Sequence, residues 1–464
     1  MKGLLIITAL GIIAMLAEVF KFKKGLLWIT LLGIAGAYIA NLLEWNTGVS
    51  ISYFDNMIAF DKPAIAFSGV ILATALFWFI LANNYFNRDA EHIADHFSLV
   101  LFALVGALML TAFKNMCTLF LGIEILSIPL YVMAASKKGD IKSNEAGFKY
   151  LIMGSFASAV LLFGIALVYG ASGSFDLMMI RKYISAAQGN LPMFFYVGVV
   201  FMLIAMCFKV SAAPFHFWAP DVYEGSPTLI TALMSTVVKT AAFAAILRLF
   251  MIGFGNVSGI WTGILAGVIA LSLIVANFTA AVQSSVKRML AYSSISHAAF
   301  MLMVILANQR SNISLDAIVY YSLAYSIGSI TAFGILYNVT RDGNENIDSF
   351  NGLAKRNPLM AFCMTVAMLS LAGIPVTAGF FAKYFVFTTL IGTPYKWLLI
   401  LAVLTSAIGV YYYLKVVIAM YFKSPGHSEN IEIEGSHRMV ILVTSLVTLV
   451  IGLAPGLIAE MFRF

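Results

Sequence analysis

Polar residues along most of this chain are confined to short intervals between long apolar runs, and the runs have the length of bilayer spans. A helix needs about 20 consecutive apolar residues to cross the hydrocarbon layer, with a working range of roughly 17–25. Spans are expected near 3–20, 26–43, 64–82, 97–113, 115–135, 147–170, 192–219, 226–251, 260–282, 290–307, 316–338, 358–390, 396–421 and 438–459. The stretch 97–135 could be one long helix. Lys114 and Asn115 near its centre instead predict two spans joined by a tight turn. The pattern is that of an all-α polytopic membrane protein of about 14 transmembrane helices.

Composition reinforces the pattern. Of 464 residues, 61% are hydrophobic and 11% are charged, whereas soluble domains carry about 25% charged residues. Such a chain cannot clothe a water-facing surface, so lipid is its solvent. The net charge of +7 does not point to nucleic acid, because the basic residues are scattered over short loops instead of gathered on one face. Cys117, Cys207 and Cys363 lie inside apolar runs, far apart and odd in number, and read as small buried hydrophobes. The first apolar run lacks a basic leader and a small-residue cleavage site, and is read as a span rather than a signal peptide. No phosphate-binding glycine loop, dinucleotide fingerprint or cysteine cluster is present, so no redox cofactor or nucleotide is expected in this chain.

Loop charge sets the orientation. With fourteen spans, one side collects fourteen basic residues, including Lys23, Lys24, Lys137, Lys287, Arg288 and Arg341. The other collects eight, including Lys2, Lys62, Lys114, Arg310 and Arg463. The richer side is expected to be cytoplasmic, with both termini outside. The remaining six fall within spans, and of these Arg248 and Lys415, near span ends, are expected to snorkel to the interface.

The others are the candidate chemistry. An ionisable group at the bilayer centre costs about 2.5–3.5 kcal/mol on insertion scales and marks a functional site. Glu124 is central in LFLGIEILSIPLYVM, Lys209 lies in MCFKVSAAPFHFW, Lys239 is central in LMSTVVKTAAFAAI, and Lys383 lies in GIPVTAGFFAKYFVF. Lys149 sits about one turn inside its span. Desolvation lowers a lysine pKa and a nearby carboxylate raises it, so an amine with a movable acid partner is a switchable proton site. Glu124 is the natural partner for Lys209 or Lys149. Several lysines against one deep carboxylate cannot all be neutralised as static pairs, which favours a proton pathway. His297, amid Tyr292, Ser293, Ser294 and Ser296, reads as a relay, against the plainer reading of a satisfied core histidine. His216, just past Pro214, is open to an interfacial or capping role as well as to proton transfer.

Two spans carry proline next to a lysine: Pro214 after Lys209, and Pro375 before Lys383, flanked by Gly373 and Gly379. Proline interrupts a helix, and paired interrupted spans in two halves of a transporter point to inverted repeats with the ion site at the break. The expected division is 1–96 for the first three helices, 97–251 for one five-helix repeat, 260–421 for the second, and 438–464 for the last helix. Ordinary proline kinks are the simpler alternative.

The stretch FKVSAAPFHFWAPDVYEGSPTLITALMSTVVKTAAF resembles the antiporter-like membrane subunits of respiratory complex I (NADH:quinone oxidoreductase) and of multisubunit cation/proton antiporters. APFHFWAPDVYEGSPT, KYLIMGSFASAVLLFGIALVYGASGS and MLAYSSISHAAFMLM look like the N-type subunit, and the likeness runs from about residue 100 to 421. The segment after the EGSPT turn, TALMSTVVKTAAF, lacks the histidine typical of L- and M-type relatives. By resemblance, Glu124 and Lys209 match the glutamate–lysine pair of the fifth and seventh helices. Lys149 matches the bridging lysine of the sixth, Lys239 the central lysine of the eighth, and Lys383 the lysine of the twelfth, where M-type subunits and antiporters usually show glutamate. The resemblance implies proton translocation in the bacterial inner (plasma) membrane, driven by quinone reduction elsewhere. Partners would be K-type and M-type neighbours and the lateral helix of the L-type subunit, with FMN, iron–sulfur clusters and quinone held by other subunits. The pulse would open and close the Glu124–Lys209 pair, with Lys239 passing the proton on to Lys383 or His297. The alternatives are a cation/proton antiporter subunit and a membrane subunit of a proton-pumping hydrogenase.

Overall fold

The computed structural model describes residues 1–21, 25–47, 51–89, 93–307, 312–340, 343–425 and 430–456. Lys23, Lys24, Arg310, Arg341 and Arg463 of the charge tally, and the end of the last expected span, lie outside them.

The apolar runs are helices. They are α1 (Lys2–Val19), α2 (Leu26–Thr47), α3 (Lys62–Asp89), α4 (Ile93–Ala112), α5 (Met116–Ala134) and α6 (Ile141–Ser172). A short β-hairpin, β1 (Ile51–Tyr53) with β2 (Ile58–Phe60), lies between α2 and α3 in what the sequence reading treats as a polar loop. Then come α7 (Leu177–Ala186), α8 (Met193–Lys209), α9 (Trp218–Gly225) and α10 (Thr228–Leu233). The last continues through a π-helical turn at Met234–Val238 into α11 (Lys239–Leu247) and a second such turn at Arg248–Gly253. The remainder are α12 (Ser258–Val282), α13 (Val286–Ala307), α14 (Asn312–Val339), α15 (Leu353–Arg356), α16 (Pro358–Ala372), α17 (Ala378–Leu390), α18 (Lys396–Phe422) and α19 (Gly435–Leu453).

Among the described residues, 12 helices are long and apolar enough to cross a membrane. They coincide with twelve of the fourteen expected spans. The seventh and twelfth are the exceptions, and these are the two that carry proline beside lysine. The seventh is divided into α8 and α9 by residues 210–217, and the twelfth into α16 and α17 by residues 373–377. The turn at Lys114 and Asn115 also separates α4 from α5 as expected, with the Asn115 side chain capping α5 by accepting from Cys117 N at 2.8 Å.

Burial sorts the helices into a centre and a rim. The continuous helix Thr228–Gly253 is buried throughout its most apolar stretch, and α13 and α14 nearly so, whereas α1, α2, α6 and α18 bury only about a third of theirs. Exposed Leu, Ile and Phe on these rim helices suit a hydrocarbon solvent. The helix that carries Lys239 is thus the axis of the molecule.

Small residues let these helices close up. A Cβ on Gly106 of α4 would stand 2.4 Å from Leu126 N and 2.8 Å from Gly122 O of α5, so the two backbones are in contact there. Gly106→Ala is expected to cost about 1–3 kcal/mol through overpacking. It should appear as a lowered Tm in detergent, and an unchanged Tm would mean that α4 and α5 part easily.

Two loop pairings match across the halves. The residue before α5 bridges to the segment after α6 (Asn115 with Asp176), and the residue before α13 bridges to the segment after α14 (Ser285 with Asn346). Each is closed by two backbone hydrogen bonds of 2.9 Å: Met116 N to Phe175 O with Leu177 N to Lys114 O, and Val286 N to Glu345 O with Ile347 N to Ser284 O.

Candidate functional site

Helices end with unpaired carbonyls and the negative end of the backbone dipole, and interrupting a span brings such an end to mid-membrane. Lys209 is the last residue of α8. In the second break, Lys383 of α17 reaches back and donates to Ala372 O, the final residue of α16, at 2.7 Å. Each break thus has a lysine at the C-terminal end of the first half-helix, as its last residue in one and as a donor to its last carbonyl in the other, although proline follows lysine in one sequence and precedes it in the other. Gly373 makes the second contact possible. It is left-handed at φ +82, and a Cβ there would come within 2.8 Å of the Lys383 Cδ.

The remaining partners of the buried amines are uncharged. Lys209 Nζ donates to Ser127 Oγ at 2.5 Å, and Ser127 passes its own hydrogen to Ile123 O. Lys239, 1% exposed, follows the first π-helical turn and donates to Ser294 O at 2.6 Å and Ser294 Oγ at 2.9 Å. Lys383 Nζ also stands 5.1 Å from the Phe300 ring centroid. Among the described residues no ion pair involves any of these three amines. Glu124 does not pair with Lys209, and Glu124 Oε1 is buried without a hydrogen-bond partner among the described residues. The expected Glu124–Lys209 contact is thus open here, with Ser127, one turn along from Glu124, holding the amine. A cavity of about 20 Å³ beside Lys209, lined in part by Tyr131, Tyr150 and Ser158, has room for one water.

His297 lies in a hydroxyl cluster. Its Nδ1 is 2.7 Å from Tyr321 Oη and its Nε2 is 3.2 Å from Tyr413 Oη, and Tyr413 is hydrogen-bonded to Ser293. Of the hydroxyls singled out from sequence, Ser293 joins this cluster, while Ser294 holds Lys239. Ser296 accepts from Asn277 at 2.9 Å, and Tyr292 packs against Arg288. Tyr321 and Tyr413 went unnoticed because they come from α14 and α18, distant in sequence. His216 is buried in the first break, beside Phe217 at 4.5 Å.

Lys149 stands apart from the buried row. Its side chain is 40% exposed and pairs with Glu145 at 2.7 Å and Asp221 at 2.9 Å, so it is neither deeply buried nor a partner of Glu124. Arg288 bonds Asp221 at 3.1 Å and Glu224 at 2.5 Å, and the group lines a polar pocket of about 190 Å³. Partial burial pushes the Asp221 carboxyl up, but Lys149 and Arg288 outweigh it and hold the group below its ordinary value. Tyr150, the next residue after Lys149, stacks on Trp218 at 4.8 Å. Trp218 Nε1 in turn donates to Phe208 O, next to Lys209, at 3.2 Å. Asp221 and Glu224 were in view in APDVYEG, but nothing local tied them to Lys149.

Two basic residues depart from expectation. Arg248 does not snorkel: it is 3% exposed, donates to Thr111 O at 2.5 Å and pairs with Asp61. Lys287, counted as a loop residue, is buried and donates to Glu224 O at 3.0 Å, Ser226 O at 2.6 Å and Glu345 at 2.8 Å.

The family model for NADH:quinone oxidoreductase/Mrp antiporter transmembrane proteins matches residues 114–409. The NADH-quinone oxidoreductase subunit N of Flavobacterium johnsoniae is 42% identical over 474 aligned residues, covering 100% of both chains. Among solved structures, a chain of respiratory complex I from Thermus thermophilus with bound aureothin is 31% identical, with a TM-score of 0.85 over 99% of this chain and 98% of that one. A chain of an archaeal membrane-bound sulfane sulfur reductase is 25% identical, with a TM-score of 0.88 over 99% and 96%. With most of its length inside the antiporter-like family and its whole length aligned to subunit N relatives, this chain belongs to the NADH-quinone oxidoreductase subunit N family.

Proposed function

We propose that this chain is the N-type proton-translocating subunit of a bacterial NADH:quinone oxidoreductase, and that Glu124, Lys209, Lys239, His297 and Lys383 carry protons across its centre. The observation that supports this reading is the row of three buried amines held by hydroxyl and carbonyl oxygens alone. Three permanent charges would be costly in that setting, so each amine is poised to be neutral or charged as its surroundings change. Lys149 serves at the mouth: the pocket with Asp221, Glu224 and Arg288 collects a proton that enters past Tyr150 and Trp218. Movement of the Glu124 carboxylate toward Lys209 charges the amine, and withdrawal releases the proton toward Lys239 and the Ser293–Tyr413–His297 cluster. Lys383 or His297 delivers it outward. Moving one charge against 100 mV costs about 2.3 kcal/mol, which redox chemistry in other subunits supplies.

The paired loop bridges and the two breaks support inverted repeats over 97–251 and 260–421, since each feature of the first recurs at the matching place in the second. The lysine and arginine asymmetry favours an orientation with both termini outside the inner membrane. Neighbours are K-type and M-type subunits and the lateral helix of the L-type subunit, and FMN, iron–sulfur clusters and quinone reside in other subunits.

In assembled enzyme in vesicles, Lys209→Ala is expected to abolish most coupled proton translocation while the complex still assembles. A normal proton-to-electron ratio in that variant would remove Lys209 from the path.

A further inference from the structure

A large cavity lies away from the amines, between the N-terminal helices and the end of the bundle. It holds about 830 Å³ and is lined by one face each of α2 and α3, closed by Leu323 and Ile327 of α14 and by Val447 and Ile451 of α19. Its walls are almost wholly aliphatic and aromatic. The polar atoms belong to Tyr38, Asn41, Trp45 and Asn46, and Asn41 is already committed, donating to Ile65 O at 2.8 Å. Ile39 and Leu42 line the cavity and are also 57% and 38% exposed, so the groove opens sideways toward the surroundings of the bundle.

We propose that this groove is a binding site for a phospholipid with an anionic headgroup. Apolar cavities do not hold water, and a void at this place would forfeit dispersion contacts along both walls. In a bilayer the material on hand is acyl chain. The lining runs over twelve residue steps on each of α2 (Ile34–Asn46) and α3 (Ile65–Phe77), a length of about 18 Å, which suits extended acyl chains.

Charge selects the headgroup. The Trp45–Asn46 end of the groove is the end of α2, and the adjacent first residue of α3 is Lys62, whose Nζ stands 5.8 Å from the Trp45 ring centroid. Lys62 is exposed and has no ion-pair partner among the described residues. Tryptophan and lysine together mark the depth of the headgroups, and an ammonium at that depth attracts anionic lipid.

The test uses the assembled complex in phosphatidylcholine vesicles containing a photoactivatable phosphatidylglycerol. Labelling is expected to concentrate on peptides spanning 38–46 and 69–77, above the level on the exposed faces of α6 and α18. A Cβ on Gly69 would meet Asn41 Nδ2 at 3.5 Å and Tyr38 Cε2 at 3.9 Å, ordinary contacts, so a longer side chain can enter the groove. Gly69→Leu should cut labelling of those peptides about tenfold by displacing methylenes, with labelling of α18 unchanged as the control for folding. Lys62→Gln should reduce the phosphatidylglycerol signal to that of photoactivatable phosphatidylcholine. Even labelling over all lipid-facing helices, or an unchanged signal in Gly69→Leu, would overturn the site. So would displacement by a prenylquinone, which would make the groove a quinone-tail site, or complete protection of the peptides, which would mean that a neighbouring subunit covers them.

Discussion

Replacing Lys239 by methionine is expected to stop proton passage through the centre of this subunit while leaving its fold in place. Lys239 lies on the most buried helix of the molecule, directly after a π-helical turn, a feature common at functional sites. Among the described residues its amine bonds Ser294 alone. Methionine keeps the length and bulk of the lysine stem, so packing is preserved. What disappears is the group that accepts and releases a proton between Lys209 and the His297 cluster. Proton transfer by a positioned side chain contributes on the order of 10²–10⁴-fold, so translocation through this subunit should fall by at least about 10²-fold. The measurement is the proton-to-electron ratio of the assembled enzyme in sealed vesicles, alongside NADH oxidation in leaky ones. Normal pumping in Lys239→Met would mean that the proton goes round Lys239, and the proposed path would be wrong at its centre.

Asp61→Ala is expected to have the largest effect on stability. Arg248 comes from the axial helix and is almost fully buried, and Asp61 both pairs with it and caps the start of α3 by accepting from Ala64 N at 3.1 Å. Removing the carboxylate leaves a guanidinium buried with only Thr111 O among its partners. Breaking a buried pair from one side costs about 3–5 kcal/mol. The double variant Asp61→Ala with Arg248→Met removes both charges and should recover most of the loss, because the penalty belongs to the stranded cation. Thermal unfolding in detergent checks both. If the single variant unfolds like the wild type, the pair does not anchor α3 to the axis.

The membrane architecture was open to a reader of the chain. Hydropathy is a sum over neighbouring residues, so span positions follow from local sequence, and even the two interrupted spans were marked by Pro214 and Pro375. The amines were legible too, since Lys209, Lys239 and Lys383 are conspicuous in apolar sequence. Ser127 was within reach, because a residue three along from Glu124 shares its helix face. The hairpin at residues 51–60 was not, since three-residue strands between polar turns carry no periodic signal.

The chain alone thus determined which segments enter lipid and which ionisable groups go with them, because transfer into hydrocarbon is priced residue by residue. The tertiary structure alone decided what each group meets. Lys149 is drawn to Asp221, 72 positions away, Arg248 to Asp61 across 187, and His297 to Tyr413 across 116. Such partners are chosen by how helices pack, and two helices brought together by packing leave no local trace of each other in sequence.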